Sequence, residues 1–395
     1  MNTEDDAGSQ RLNQLTLGLN IRFRGKIIET RQGQTLKMAL GAPARWLGSL
    51  PVVPRTRLWA SHSGCIGVGI GTGCQINHID PSETPSYQVF SSYIAETNRN
   101  NSLATYGTKL YTMDKSVLRE LLQITPNAGQ LISAILPSPV NIPIKEFTGF
   151  TGNCMLEFDG KLFIGLSNDA APNTTSKIVS WDGTQFIDEL TGIRAPQAFG
   201  LWRNTIVAGF DATGGNIQWR ASGTAPGTWT NVALGGFVCS SAGNAMQEEG
   251  KYLWIASGVD KLFRWDGTSL TLQRTIAGCA TDGNGCTVVT LHNGILYYGW
   301  NTPSAAYASR IGRHDVDSAG GGLEWVDTYQ DITGQQANFY YVRALKSYRG
   351  QIYAGGVRDW IVATPANDAK GTLVVINNGG GGSGQVQYIV MFFIY

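Results

Sequence analysis

Charge is scarce in this chain. Asp, Glu, Lys and Arg make up 15% of it, and the formal net charge is +1. With 42% hydrophobic residues, that composition excludes a solvated, disordered chain. No apolar run approaches the roughly 20 residues needed to span a bilayer, so no membrane-spanning segment is expected. The opening Met1-Asn-Thr-Glu-Asp-Asp-Ala is acidic and polar, and a secretory signal is not expected there. The six cysteines (Cys65, Cys74, Cys154, Cys239, Cys279, Cys286) include no CxxC pair and have no histidine at finger spacing. They are expected to be reduced and packed as small apolar residues. Cys65/Cys74 and Cys279/Cys286 are each close enough in sequence to cross a hairpin instead.

Catalytic signatures are missing as well. There is no GxGxxG on a strand-to-helix turn, no P-loop, no HExxH and no GxSxG. The four histidines (His62, His78, His292, His314) lie far apart; His292 and His314 fall at strand ends and read as surface residues. Thr281-Asp-Gly-Asn-Gly-Cys286 begins like a calcium loop but lacks the downstream carboxylate, so it reads as a turn. Carboxylates such as Glu120, Asp159, Glu189 and Glu248 are available for glycosidic chemistry, yet no sequence feature pairs any two of them. No metal, cofactor or enzymatic activity is expected. A glycoside hydrolase is the remaining enzymatic alternative.

Glycine and aromatics are abundant: 50 Gly, 15 Tyr, 14 Phe and 11 Trp. Glycine supplies the positive φ of tight turns, and aromatics suit half-buried pleated surfaces. They recur in one pattern, a turn with Gly or Asn followed by a short apolar strand. It reads Asp159-Gly-Lys-Leu-Phe-Ile-Gly165, Arg203-Asn-Thr-Ile-Val-Ala-Gly209 and Glu249-Gly-Lys-Tyr-Leu-Trp-Ile-Ala256. It continues as Asn293-Gly-Ile-Leu-Tyr-Tyr-Gly299 and Arg349-Gly-Gln-Ile-Tyr-Ala-Gly355, with weaker copies at Tyr106–Tyr111 and Gly64–Gly69. One anchor from each (Ile66, Leu110, Leu162, Ile206, Leu253, Leu296, Ile352) gives separations of 44, 52, 44, 47, 43 and 56 residues.

A strand repeat of that length predicts an all-β fold, a single β-propeller of seven blades with four antiparallel strands each, and six blades as the alternative. The stretch 243–275 predicts a whole blade: Ala245–Glu248, Lys251–Ser257, Lys261–Trp265 and Ser269–Arg274, with Asp266-Gly as the hairpin turn. Trp181-Asp-Gly-Thr184 repeats that turn, and Ile217–Arg220 and Ile311–Asp315 are degenerate third strands. Radial stacking buries sheet faces that one blade cannot hide alone. The single helix candidate is Lys115–Ile124, where Val117, Leu118, Leu121 and Leu122 share a face.

Residues 1–18 read as a polar arm, 19–378 as the propeller, and 379–395 as a glycine linker plus apolar strand. That last strand, with Tyr388, Ile389, Val390, Phe392 and Phe393, either closes the ring or is donated to a neighbouring subunit. Positive charge is concentrated near the start: residues 11–60 carry nine Lys/Arg against Glu29 alone. Arg22, Arg24, Lys26, Arg31, Arg55 and Arg57 are the candidate contact residues for an acidic partner or passing nucleic acid.

The stretch Leu19-Asn-Ile-Arg-Phe-Arg-Gly-Lys-Ile-Ile-Glu-Thr-Arg-Gln-Gly33 resembles the opening line of phage tail proteins with propeller folds, such as the nozzle of short-tailed phages. As in that family, it leads into an Arg/Trp segment (Arg55–Trp59) and a Gly-rich strand (Ile66–Gly73); Ile217–Trp229 also resembles a hairpin frequent there. The WD-repeat family is a poorer match, because the Trp-Asp pairs lack an upstream Gly-His. The resemblance implies a non-enzymatic virion protein of the tail, assembled in the host cytoplasm as a homo-oligomeric ring, hexameric in the family, around the DNA exit channel. Its partners would be tail proteins on the adaptor or portal side, with non-specific contact to phage DNA. A receptor- or glycan-binding propeller, using loop aromatics such as Trp300, Tyr307 or Trp360, is the alternative.

Overall fold

A computed structural model describes residues 21–24, 27–30, 33–40, 44–52, 55–62, 73–79, 87–94, 100–121, 141–170, 175–211, 215–237, 239, 245–279, 285–301, 309–315, 323–328, 339–348, 351–358 and 370–377. Strands β1 (Ile21–Arg24) and β2 (Ile27–Thr30) form a two-stranded hairpin, and β3 (Gly33–Leu40) follows. The first sheet is β4 (Ala44–Val52), β5 (Arg55–His62), β6 (Gly73–Ile79) and β7 (Tyr87–Ile94). The second is β8 (Asn100–Tyr106), β9 (Lys109–Asp114), β10 (Val117–Leu121) and β11 (Asn141–Glu146). The third is β12 (Phe150–Phe158), β13 (Lys161–Asn168), β14 (Ser176–Trp181) and β15 (Phe186–Ile193). The fourth is β16 (Pro196–Trp202), β17 (Thr205–Phe210), β18 (Gly215–Ala221) and β19 (Thr230–Phe237). The fifth is β20 (Met246–Glu249), β21 (Tyr252–Ala256), β22 (Lys261–Trp265) and β23 (Leu270–Thr275), within a residue or two of the predicted blade. The sixth is β24 (Cys286–His292), β25 (Ile295–Asn301), β26 (Ser309–Asp315) and β27 (Leu323–Thr328).

The seventh sheet joins the two ends of the described chain. Its order is β28 (Phe339–Tyr348), β29 (Gln351–Arg358), β30 (Lys370–Asn377) and then β3, which pairs antiparallel to β30. The innermost strands β4, β8, β12, β16, β20, β24 and β28 each contact the next, and β28 contacts β4, so the sheets close a ring. Closure removes the two terminal blade faces that an open stack would expose. The closing strand is β3; residues 378–395, expected either to close the ring or to be donated to a neighbouring subunit, lie outside the described residues.

Burial is concentrated on the second strand of the fifth blade. Leu253 to Ala256 of β21 are all buried, whereas no residue of β23 is. Middle strands are covered on both faces by neighbouring blades, so they read as continuous apolar runs rather than alternating ones. The apolar clusters sit between blades accordingly: Tyr111 and Leu118 pack with Met155 and Leu162 across the second and third. Trp202 and Val207 pack with Leu253 and Trp265 across the fourth and fifth. Leu110, Leu162, Ile206, Leu253, Leu296 and Ile352 are each 0% exposed, every one near the start of a second strand. Burial of such a side chain contributes roughly 1.5–3 kcal/mol.

Two expectations are corrected. The helix expected over Lys115–Ile124 is not found in its described part: Val117–Leu121 is strand β10, hydrogen-bonded between β9 and β11, after a turn with Lys115 at φ 51°. Its burial follows the period-two pattern of a strand, Leu118 and Glu120 inward, and pairing on both sides outweighs the helical spacing of its leucines. The second strand of the first sheet is β5 rather than Gly64–Gly69, so the anchor Ile66 falls in the following connection, outside the described residues.

Candidate functional site

The predicted basic residues are divided between two elements. Arg22 and Arg24 lie on β1, opposite Glu29 and Ile27 of β2, in a sheet separate from the seven blades. Arg55 and Arg57 begin β5 in the first blade, opposite Val52 and Leu50. Lys26, Arg31, Tyr388, Ile389, Val390, Phe392 and Phe393 lie outside the described residues, as do Tyr307, Trp360 and most of the Thr281–Cys286 turn. Trp300, expected in an exposed loop, is instead buried on β25. Cys154, Cys239, Cys279 and Cys286 are buried and free, as expected, and no disulfide joins Cys279 to Cys286. Among the described residues no three His, Cys, Asp or Glu side chains converge as a metal site.

What the fold does bring together is a set of polar locks across the seams between blades. The strand bounds leave two residues between the first and second strand of every blade, and the residue just before that turn is often aromatic: Tyr106, Phe158, Trp202, Tyr348. Two of these donate to the corresponding turn of the next blade. Tyr106 Oη donates to the Gly160 carbonyl at 3.1 Å, and Trp202 Nε1 to the Lys251 carbonyl at 3.3 Å. His292 occupies the same position in the sixth blade, and its Nδ1 lies 2.8 Å from Ser347 Oγ of the seventh. His314 packs edge-on against Trp254 across the preceding seam, ring centroids 5.0 Å apart. Both histidines are buried, which corrects the surface reading: His292 ends the innermost strand and His314 lies near the end of the third, and both positions face a neighbouring blade.

The Trp-Asp-Gly-Thr turns belong to the same system. Trp181 and Trp265 lie 5.6 Å from Tyr106 and 5.0 Å from Trp202, the aromatics of the preceding blades. Asp266 Oδ1 accepts from the amides of Thr268 and Ser269 at 2.9 and 2.8 Å, and Asp182 Oδ1 from those of Thr184 and Gln185 at 2.8 and 2.9 Å. Gly267 takes φ +99°, and a Cβ there would stand 2.5 Å from Trp202 Cη2. Gly267→Ala is therefore expected to cost about 2–4 kcal/mol, from a strained φ plus overpacking. Gly223→Ala, at φ +73° with open space around it, is expected to cost about 1 kcal/mol. Urea midpoints of the two variants measure the difference, and equal losses would refute the tryptophan clash.

Carboxylates complete the seams. Asp159, in the third blade's inner turn, accepts from Ser222 Oγ at 2.7 Å and the Gly223 amide at 2.9 Å in the fourth. Glu248 Oε1 of the fifth accepts from the Arg203 amide of the fourth at 3.0 Å. Deepest of all is Glu189, the single buried position on the outer strand β15. Its Oε1 accepts from Ser180 Oγ at 2.7 Å, and its Oε2 lies 3.3 Å from Arg220 Nη1 on the next blade. Arg220 is itself buried, stacks over Phe163 at 5.5 Å, and donates to Thr224 Oγ1 and the Thr224 carbonyl.

These locks give stability a defined pH dependence. Donated backbone hydrogen bonds, from Ser269 and Gln185 foremost, hold Asp266 and Asp182 below the ordinary carboxylate value of 3.8; the Gly223 amide does so for Asp159. A depressed acid stabilises the fold above its unfolded value and loses that contribution as pH falls through the folded one. Burial lowers His292 below 6.5, so the fold disfavours its charged form, and acidification through that range destabilises as well. The expected acid profile has an early loss that begins as pH falls below the ordinary histidine value of 6.5, abolished in His292→Gln, and a steeper one that begins as pH falls below the ordinary carboxylate value of 3.8. Urea midpoints across that range check it; an unchanged early loss in the variant would assign it elsewhere.

Four-stranded antiparallel blades closed into a ring define this chain as a β-propeller. Its fold is similar to the WD40 β-propeller domain of Doa1, with a TM-score of 0.51 and 11% identity, covering 88% of this chain and 98% of that one. Lower likenesses are the structure of YCF48 bound to D1 peptide (TM-score 0.48, 11% identity, 87% and 94% covered) and the computationally designed protein Ika8 (0.47, 12%, 86% and 99%). No protein family and no curated protein matches the sequence.

Proposed function

We propose that this propeller is a non-catalytic structural and binding component of a bacteriophage virion, a tail protein resembling the nozzle of short-tailed phages. In that reading, copies of the chain form a ring around the DNA exit channel, and the basic N-terminal region meets the adaptor or portal side of the tail. The observation that carries the reading is the Leu19–Gly33 line. Its residues resemble the opening of that family, and it holds a hairpin with Arg22 and Arg24 on one face, outside the seven blades. A basic hairpin in a sheet separate from the seven blades is suited to an acidic protein surface or to phosphates. The engagement of Asp159, Glu189 and Glu248 between blades favours a scaffold over a hydrolase, since each serves a seam.

The test is made on particles carrying Arg22→Ser, Arg24→Ser and Lys26→Ser together. Loss of the protein from assembled particles, with the purified variant still folded, is the expected result. Particles that assemble normally and stay infectious would remove the attachment role. Electron microscopy of the purified protein provides the second readout, since rings of several copies are expected and a monomer at every concentration would count against the nozzle-like station.

A further inference from the structure

The connection between the fifth and sixth blades is docked at both of its ends on one turn. That turn, residues 257–260, joins β21 to β22. After β23 the chain returns to it: the Ile276 amide donates to the Asp260 carbonyl at 2.7 Å, and the Cys279 amide to the Ile276 carbonyl at 3.2 Å. Cys279 Sγ stands 3.8 Å from the Val259 carbonyl oxygen. The Cys286 amide donates to that same oxygen at 2.7 Å, and the Gly258 amide donates to the Cys286 carbonyl at 2.7 Å. Two cysteines from opposite ends of the connection therefore meet at one carbonyl.

Their setting separates them from the other buried cysteines. Cys279 and Cys286 belong to one apolar cluster with Trp254, Tyr298 and Trp300, whereas Cys154 and Cys239 fall in two different clusters. Cys279 is 6% exposed and Cys286 0%. Burial pushes the Cys286 thiol up, so little thiolate forms while the connection stays docked. Local opening of the connection gates any reaction there. Once one sulfur has reacted, the other is held beside it at high effective concentration.

We propose that Cys279 and Cys286 form a redox site, which reacts with a small-molecule disulfide and closes an intramolecular bond across the connection between the fifth and sixth blades. The Cys279 thiolate, on the more accessible residue, attacks one sulfur of the small disulfide. That S–S bond breaks, and one small thiol leaves with the proton that Cys279 has given up. The Cys286 thiolate then attacks Cys279 Sγ in the mixed disulfide, and the second small thiol leaves with the other proton. Two protein thiols are oxidised, and one small disulfide is reduced to two thiols. The new bond ties the start of β24 to the segment after β23, which constrains the unfolded chain and fastens the connection to its turn. The site is independent of what the propeller binds.

The test incubates the intact protein with oxidised glutathione at neutral and at alkaline pH, followed by unfolding, alkylation and peptide mass analysis. The peptide carrying both cysteines is expected to lose two hydrogens and escape alkylation, faster at alkaline pH, while Cys154 and Cys239 remain alkylatable. Cys286→Ala is expected to stop at a glutathione adduct on Cys279. The oxidised parent should unfold at a higher urea midpoint than the reduced parent, a rise absent from the variant. Retention of both thiols under conditions that modify the urea-unfolded chain overturns the proposal. Adducts in the parent that never close overturn it too, as does pairing of Cys279 or Cys286 with any other cysteine. A bond that forms without raising the midpoint overturns the fastening of the connection.

Discussion

Arg220→Ala is expected to lower the unfolding free energy by about 3–5 kcal/mol, because removing one partner of a buried ion pair leaves the other charge uncompensated. The partner here is Glu189, whose side chain is 0% exposed and whose remaining donor is Ser180. The loss is compounded by the broken bonds to Thr224, which tie down the connection after β18, and by the vacated space over Phe163. Charge complementarity, not the charge itself, is at stake. Replacing both partners with apolar residues of similar size, Glu189→Leu with Arg220→Met, is therefore expected to restore most of the loss. Urea unfolding of the two single variants and the double variant completes the cycle. A loss under about 1 kcal/mol in Arg220→Ala would mean that water reaches the pair and screens it.

The ring rhythm was legible because it is written locally. A two-residue turn followed by a buried second strand repeats at a near-constant interval, and Leu162, Ile206, Leu253 and Leu296 mark it without help from tertiary structure. The first blade breaks the rhythm for the same reason: the two residues between β4 and β5, Val53 and Pro54, include no Gly or Asn of the kind that flags the other copies, so the local pattern points one connection too late. The seams were not legible. Glu189 and Arg220 sit on strands of different blades, and no periodicity relates an outer strand to the third strand of the next sheet. His292 looked like a surface residue because a strand end usually is one. In a propeller, the end of the innermost strand faces the next blade, and only the aromatics at Tyr106, Phe158 and Trp202 hinted at the equivalence. Closure by β3 has no local signature at all, since the pairing spans nearly the whole chain.

Trp265→Ala is expected to cost about 3–5 kcal/mol, the range for truncating a fully buried large aromatic. Trp265 is 0% exposed, packs against Trp202 of the preceding blade at 5.0 Å and against Trp219 at 5.9 Å, and ends the strand that leads into the Asp266-Gly267 turn. Its loss removes a wall of the cluster holding Ala198, Val207, Leu253 and Ile255, so the cavity opens across the seam between the fourth and fifth blades. Trp181 holds the same place in the third blade but is 7% exposed, stacked on Phe186 with planes 9° apart. Trp181→Ala is expected to cost about 1 kcal/mol less, since the site can relax toward solvent. A double-mutant cycle of Trp265→Ala with Trp202→Ala should show a coupling of about 0.5–1.5 kcal/mol, the share due to the aromatic pair itself. Additive losses would mean that the two rings are merely buried side by side and that the Trp-Asp-Gly-Thr turn holds its own blade without locking to its neighbour.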